Sequence, residues 1–127
     1  MVGASLAAGL AGAGKRLLLV EAVPFVANEH PSFDERTSAL GNASRRIFEG
    51  LGAWREIAPE AAPIRAIHVS DAGRFGSARL SAAEQGVEAL GYVVPNRRIG
   101  AALWGLLSGV PGLTLRVPGV IEDVAIE

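Results

Sequence analysis

The chain has 127 residues, half of them hydrophobic, which is enough apolar material for the core of one domain or part of one and argues against disorder. Its 12 lysines and arginines stand against 13 acidic residues, a net charge of -1, so no basic excess attracts nucleic acid or an anionic membrane. Cysteine is absent, which excludes disulfides, thiolate metal sites and a cysteine nucleophile. No stretch approaches the roughly 18 uninterrupted apolar residues of a membrane helix.

The first predicted element is a helix over residues 2–13. Its residues are small, so the helix can lie very close to a sheet. Gly14 is expected to end it, because glycine readily adopts the left-handed conformation that follows many helices. The apolar run Leu17–Val20 then predicts a parallel strand that is buried on both faces.

Gly3 and Glu21 bracket this helix and strand at a spacing typical of a dinucleotide-binding unit. In the G-x-G-x-x-G unit, the third glycine allows close helix packing, and an acidic residue about 20 positions further on binds the ribose hydroxyls. If Gly3 is that third glycine, the other two and their strand fall before Met1, and the chain is a piece of a larger protein. Alternatively, Gly3 is an ordinary loop glycine, and Glu21 is a solvated glutamate at the end of a strand.

The rest of the chain alternates between helical and strand patterns bounded by proline and glycine. In order, these patterns predict a loop at Pro24–Ser32, a helix from about Leu40 to Leu51, a helical turn at Trp54–Ala58, a hairpin of Ile64–Val69 with Ser77–Leu80, a strand at Tyr92–Val94, a helix from Asn96 to about Leu107, a strand at Leu113–Val117 and an alternating, strand-like pattern at Val120–Ile126. Asn96 is expected to cap its helix. The buried face of that helix is expected to carry Ile99, Leu103, Leu106 and Leu107.

The segment Phe33–Leu40, followed by Ser44, resembles the D-x-R-x-x-x-L segment of class A flavin monooxygenases. The resemblance implies that Arg36 reaches the pyrophosphate of FAD and that this loop borders the flavin. A planar, permanently charged guanidinium suits that task because it can donate two hydrogen bonds to phosphate oxygens at once. Without the resemblance, the same residues predict a helix capped by Asp34 with Arg36 in its first turn, where the helix dipole disfavours a cation unless an anion is close.

Three later segments are similar to one branch of that family, the ubiquinone-biosynthesis hydroxylases. They are Ile67–Gly76, Ala89–Val94 and Pro111–Leu115, in the family's order and spacing. The resemblance implies an enzyme in which flavin, reduced by NAD(P)H, uses O2 to hydroxylate an electron-rich (polyprenyl) phenol. No catalytic acid, base or nucleophile is required of this chain. A metal site is not expected either, because His30 and His68 share no helical face and have no cysteine beside them.

The residues expected to bind FAD are Gly3, Glu21, Arg36, Thr37, Asn96 and Arg98. Tyr92 stands where members of the family often carry glutamine or histidine beside the flavin. The family's G-D motif, which contacts the flavin ribityl chain, and the remaining substrate-domain strands would follow Glu127. The chain by itself is therefore expected to bind FAD weakly and not to catalyse the reaction.

The predicted fold class is α/β: a partial FAD/NAD(P)-binding, Rossmann-like parallel sheet with the start of a β-rich substrate domain, truncated at both ends. Residues 1–63 are assigned to the FAD-binding part, 64–91 to the substrate-domain β-layer and 92–127 to a return to the FAD-binding part. A cytoplasmic location is expected, with the parent enzyme peripheral to the inner membrane. Exposed sheet edges predict self-association.

Two alternatives remain open for the function. One is another FAD or NAD(P) oxidoreductase, such as a halogenase or a dehydrogenase, against which the Asp34–Leu40 segment argues. The other is a truncated product without catalytic activity. An in-frame apolar strand ending in Gly-x-Gly, encoded just upstream of Met1, would distinguish a fragment from a complete protein.

Overall fold

A computed structural model describes residues 1–24, 36–73 and 75–125 and shows a mixed α/β arrangement. In chain order the elements are α1 (Val2–Leu10), β1 (Leu17–Val20), β2 (Thr37–Gly41), α2 (Asn42–Gly50), α3 (Trp54–Ile57), a 3-10 helix (Ala58–Glu60), β3 (Ala62–Ile64), β4 (Ala66–Ser70), β5 (Ser77–Ser81), β6 (Gly91–Pro95), α4 (Asn96–Leu107) and β7 (Leu113–Arg116). The predicted loop at Pro24–Ser32, apart from Pro24, lies outside the described residues, as does Asp34.

Within the described residues the strands form three small sheets. β1 pairs with β7 in parallel. β6 lies between β2 and β3 in an antiparallel sheet, and β4 and β5 form an antiparallel hairpin. The α/β composition and the parallel direction of β1 are therefore confirmed. The Rossmann-like architecture stays a prediction, because the parallel sheet has two strands in the described part of the chain.

α1 packs on β1 at Gly3. A Cβ added to Gly3 would lie 3.4 Å from Leu19 Cδ1, so a residue without a side chain allows the helix to approach the strand closely. The helix ends at Leu10, and its predicted extension to residue 13 is wrong. Ala11, with φ of -58° and ψ of 130°, already leaves the helical conformation ahead of the glycine-rich turn that follows.

β1 is less buried than its apolar sequence predicts. Leu18 is 65% exposed, so the expectation of burial on both faces is wrong for this strand. α1 covers the face that carries Leu19, and β7 is the neighbour of β1 within the described residues. An apolar strand is fully buried only where both of its faces are covered.

β2 occupies the predicted start of a helix. Thr37–Gly41 is a strand with alternating burial, and α2 begins at Asn42 rather than near Leu40. The strand pairs with β6 over its whole length. Pairing with a partner far along the chain decides the local structure here, so the reading of Arg36 as part of a helical first turn is also wrong.

The core lies between α4, α3 and β6. α4 spans Asn96–Leu107 as predicted, and its predicted buried face is confirmed. Ile99 is 2% exposed, and Leu103 and Leu107 are each 1% exposed. Ile99 and Leu103 join one buried cluster with Ile57 of α3. Such a cluster fixes the position of α4 relative to the antiparallel sheet.

An aromatic pair closes one side of this core. Trp54 of α3 packs edge-on against Tyr92 of β6, with ring centroids 5.1 Å apart and an angle of 67° between the ring planes. Tyr92 belongs to the buried cluster, and Trp54 packs against that cluster from a partly exposed position. Trp54 and Tyr92 therefore both pack in the same core.

The predicted hairpin is present as β4 and β5, but it is shorter than expected at its start. Ile64 belongs to β3, which pairs with β6, so the predicted strand from Ile64 to Val69 is divided at Arg65. The strand predicted at Val120–Ile126 is also wrong over the residues described there, 120–125. These residues are exposed and form no strand, because they pair with no neighbour in the described chain.

Candidate functional site

The start of α1 and one face of β2 line the same cavity, of about 310 Å³. Its wall is mostly apolar and carries three serines. The lining residues are Met1, Val2, Ser5, Ser38, Leu40, Ser44, Ile47, Phe48 and Ile99. The first N–H groups of a helix have no acceptor within the helix and carry partial positive charge, so this end of the cavity favours an anionic group.

Glu21 lies directly after β1 and is held by the last residue of β7 and the segment that follows it. Its N–H donates to the Arg116 carbonyl at 3.0 Å, and its own carbonyl accepts the N–H of Gly119 at 2.9 Å. Its Oε1 accepts the N–H of Val23 at 3.1 Å, which orients the half-buried carboxylate. The structure thus presents a carboxylate at the carboxyl end of a parallel strand, where it can accept hydrogen bonds from hydroxyl groups.

Arg36 lies directly before β2, beside the start of α4. Its carbonyl accepts the N–H of Asn96 at 2.8 Å, and Ser38 Oγ donates to Asn96 Oδ1 at 2.6 Å. Asn96 is the first residue of α4, and the N-cap position is occupied by Pro95. The prediction that Asn96 caps the helix is therefore wrong: its side chain joins α4 to β2 instead.

Ser38 is the residue of this site that the sequence pattern did not reveal. Burial alternates along β2, so Ser38 and Leu40 face the cavity while Thr37 is exposed on the other face. A strand assignment at Thr37–Gly41 would have placed Ser38 and Leu40 on one face. The helical pattern predicted from about Leu40 to Leu51 overlaps the end of this strand and concealed its alternation.

Arg98 lies at a different place from Arg36. Its Nε donates to the Glu56 carbonyl at 2.8 Å and lies 3.3 Å from Glu60 Oε1. Arg97 pairs with the other carboxylate oxygen of Glu60. Arg98 also lines a second cavity, of about 260 Å³, between α3 and α4. The structure therefore groups Arg36 with Asn96 and directs the guanidinium of Arg98 toward α3 and the 3-10 helix.

Among the described residues, no group of three or more histidine, aspartate and glutamate side chains could hold a metal ion. His68 is exposed on β4, opposite Arg79. No helix in residues 1–24, 36–73 and 75–125 is long and apolar enough to cross a membrane.

Comparison with known proteins shows that the chain is similar over nearly all of its length to three hydroxylases, which confirms the resemblance to ubiquinone-biosynthesis hydroxylases predicted above. One relative is the 3-demethoxyubiquinol 3-hydroxylase of Escherichia coli strain K12, 38% identical over 123 residues, which are 94% of this chain and 31% of the relative. Ubiquinone hydroxylase UbiM of Neisseria meningitidis is 31% identical over 127 residues, 96% of this chain and 28% of that protein.

Ubiquinone hydroxylase UbiL of Rhodospirillum rubrum is 32% identical over 119 residues, 93% of this chain and 27% of that protein. No protein-family model matches the chain. The chain thus spans less than a third of the length of the curated relatives it matches.

Proposed function

We propose that the chain is a segment of an FAD-dependent monooxygenase that hydroxylates a (polyprenyl) phenol in ubiquinone biosynthesis, with NAD(P)H and O2 as co-substrates. The observation that carries the proposal is the cavity lined by the start of α1 and by the face of β2 that bears Ser38 and Leu40. Arg36 lies two residues before Ser38. Homology to three ubiquinone hydroxylases favours this reaction over that of a halogenase or a dehydrogenase.

The residues present fit the adenosine diphosphate half of FAD. Because Gly3 has no side chain, α1 lies close to β1, and the start of the helix can approach a pyrophosphate. Glu21 would accept the ribose hydroxyls, and Arg36 would bind the phosphate oxygens. When bound, FAD takes electrons from NAD(P)H and supplies the oxygen chemistry, so the chain's own task is to bind and orient the cofactor.

The remaining candidates have smaller roles in this proposal. Asn96 lies next to Arg36. Thr37 follows Arg36 in the chain and lies on the exposed face of β2. Arg98, which contacts Glu56 and Glu60, would have to release these contacts to reach a cofactor at Arg36. We therefore assign Thr37 and Arg98 to the margin of the site.

We also propose the division into an FAD-binding part (1–63 and 92–127) and a substrate-domain β-layer (64–91). Every residue of β4 is exposed. This supports the division, because further strands of the substrate domain would cover β4 in the whole enzyme. A cytoplasmic location is proposed from the absence of cysteine. The whole enzyme would act at the inner membrane surface, where a polyprenyl chain partitions.

Replacing Arg36 with alanine tests the cofactor assignment. We expect FAD to bind about 1 to 3 kcal/mol more weakly, roughly 5- to 150-fold in Kd, because a charged hydrogen-bond donor to the pyrophosphate is lost. Binding can be measured from NMR chemical shifts during FAD titration to millimolar concentration. Arg55→Ala removes an exposed arginine of α3 as the matched control and should leave the Kd unchanged. Equal affinity of wild type and Arg36→Ala would refute the role of Arg36.

We further propose that, in a sample of the chain by itself, a second copy covers the apolar face of the hairpin that the rest of the enzyme would otherwise cover. Ile67, Val69 and Leu80 are 37%, 58% and 45% exposed, and they share one face because Ile67 lies opposite Leu80. Val69→Asp is expected to shift the chain toward monomer in sedimentation equilibrium. Ser70→Asp adds the same charge to the opposite face and should not. A wild-type chain that remains monomeric at high concentration would contradict this proposal.

A further inference from the structure

Asn96 makes two hydrogen bonds to the start of β2, one on each side of Thr37. Its N–H donates to the carbonyl of Arg36 at 2.8 Å, and its Oδ1 accepts from Ser38 Oγ at 2.6 Å. The two bonds therefore fix three consecutive residues at the point where the chain enters the strand. Ser38 and Asn96 are 58 positions apart, so the fold makes this contact and no local turn can substitute for it.

Asn96 is itself attached to the most buried part of the molecule. α4 continues from Asn96 to Ile99 and Leu103, which are 2% and 1% exposed. Asn96 and Ile99 are three positions apart and so share a face of the helix. Ile99 lines the same cavity as Ser38. The backbone of Arg36 is thus tied, through one residue, to a densely packed core.

We propose that Ser38 and Asn96 are positioning residues that hold Arg36 ready for the phosphate groups of the cofactor. Ordering a backbone segment and a long side chain during binding costs free energy, so a segment that is already ordered binds more tightly. Asn96 acts here without touching the cofactor, through the backbone of Arg36. The proposal rests on the function proposed above. The sequence predicts that Asn96 contacts FAD directly, whereas here Asn96 acts on FAD through Arg36.

The test is an FAD titration of the full 127-residue chain, followed by NMR chemical shifts, for variants on both sides of this hydrogen bond. Ser38→Ala and Asn96→Ala are each expected to raise the Kd about 3- to 10-fold, the scale of one lost neutral hydrogen bond. Ser38→Thr keeps the hydroxyl on a residue that suits a strand and should restore wild-type affinity. Ser108→Ala is the matched control, because that hydroxyl donates to the Trp104 carbonyl near the other end of α4.

A double-variant comparison separates positioning from a general loss of stability. Once Arg36 is alanine, adding Ser38→Ala should change the Kd no further, because the effect of Ser38 passes through Arg36. A second loss of full size would overturn the proposal. Equal affinity of wild type, Ser38→Ala and Asn96→Ala would overturn it and leave the proposed function standing.

Two further outcomes are decisive. Absence of any FAD binding by the wild-type chain would overturn the positioning role and the proposed function together. If Asn96→Ala does not fold, Ser38→Ala with its Ser38→Thr rescue decides the question, because the two differ in the hydroxyl and keep the helix start intact. A Ser38→Thr variant that binds as weakly as Ser38→Ala would also refute the role of the hydroxyl.

Discussion

Replacing Gly91 with alanine is expected to lower the free energy of unfolding by about 2 to 3 kcal/mol, at the upper end of the usual cost of overpacking. A Cβ built on Gly91 would lie 2.5 Å from the carbonyl oxygen of Leu40 and 3.4 Å from the Cα of Gly41. Both are backbone atoms of the neighbouring strand, so neither can be moved without moving β2. The expected result is a strand pair forced apart beside the candidate site.

Chemical unfolding of the purified chain measures this effect, and the same substitution elsewhere provides its control. Gly105 lies inside α4, and a Cβ there would meet nothing within 4 Å. Gly105→Ala should therefore stabilise the protein by up to about 1 kcal/mol, because alanine is the better helix former. If the two alanine variants were equally stable, the close approach of β2 to β6 at Gly91 would be disproved.

Replacing Leu103 with alanine is expected to produce the largest loss of stability, about 2 to 5 kcal/mol. Leu103 is 1% exposed at the centre of α4, and its truncation removes apolar contacts and leaves a cavity in the core. Because small domains are stable by only about 5 to 15 kcal/mol in total, this variant should show a much lower unfolding midpoint and a measurable unfolded fraction.

Leu6→Ala is the matched control for Leu103→Ala. Leu6 is 62% exposed on α1, so the same loss of side-chain volume should change the free energy of unfolding by less than about 1 kcal/mol. Urea titrations of both variants give the comparison directly. A Leu103→Ala variant as stable as Leu6→Ala would contradict the assignment of α4 to the core.

The helices and the hairpin could be predicted from the sequence where the signal is local. Ile99, Leu103 and Leu107 recur at helical spacing, so the sequence predicts α4 and its buried face. β2 could not be predicted in the same way. Its five residues are too few for a clear alternation, and the strand exists because β6, far along the chain, pairs with all of them.

The site shows the same division between local and distant signals. The positions of Gly3 and Glu21 follow from a spacing that is visible in the sequence, and the structure places both at the α1–β1 unit as expected. Ser38 could not be found, because its hydrogen-bond partner Asn96 is 58 positions away. The contacts of Arg98 with Glu60 likewise depend on how α4 packs against the 3-10 helix, which no local pattern encodes.

The backbone hydrogen bonds that join Glu21 to Arg116 and Gly119 have a consequence for how a folded sample should be recognised. Contacts between such distant parts of a chain form slowly, because the entropy of closing a long loop must first be overcome. Helices such as α4 form from neighbouring residues and are completed sooner. Far-UV circular dichroism can therefore report a native helix content before the contact between Glu21 and the end of β7 has formed. Slow amide hydrogen exchange at Glu21 and Gly119 is the signal that this contact has formed.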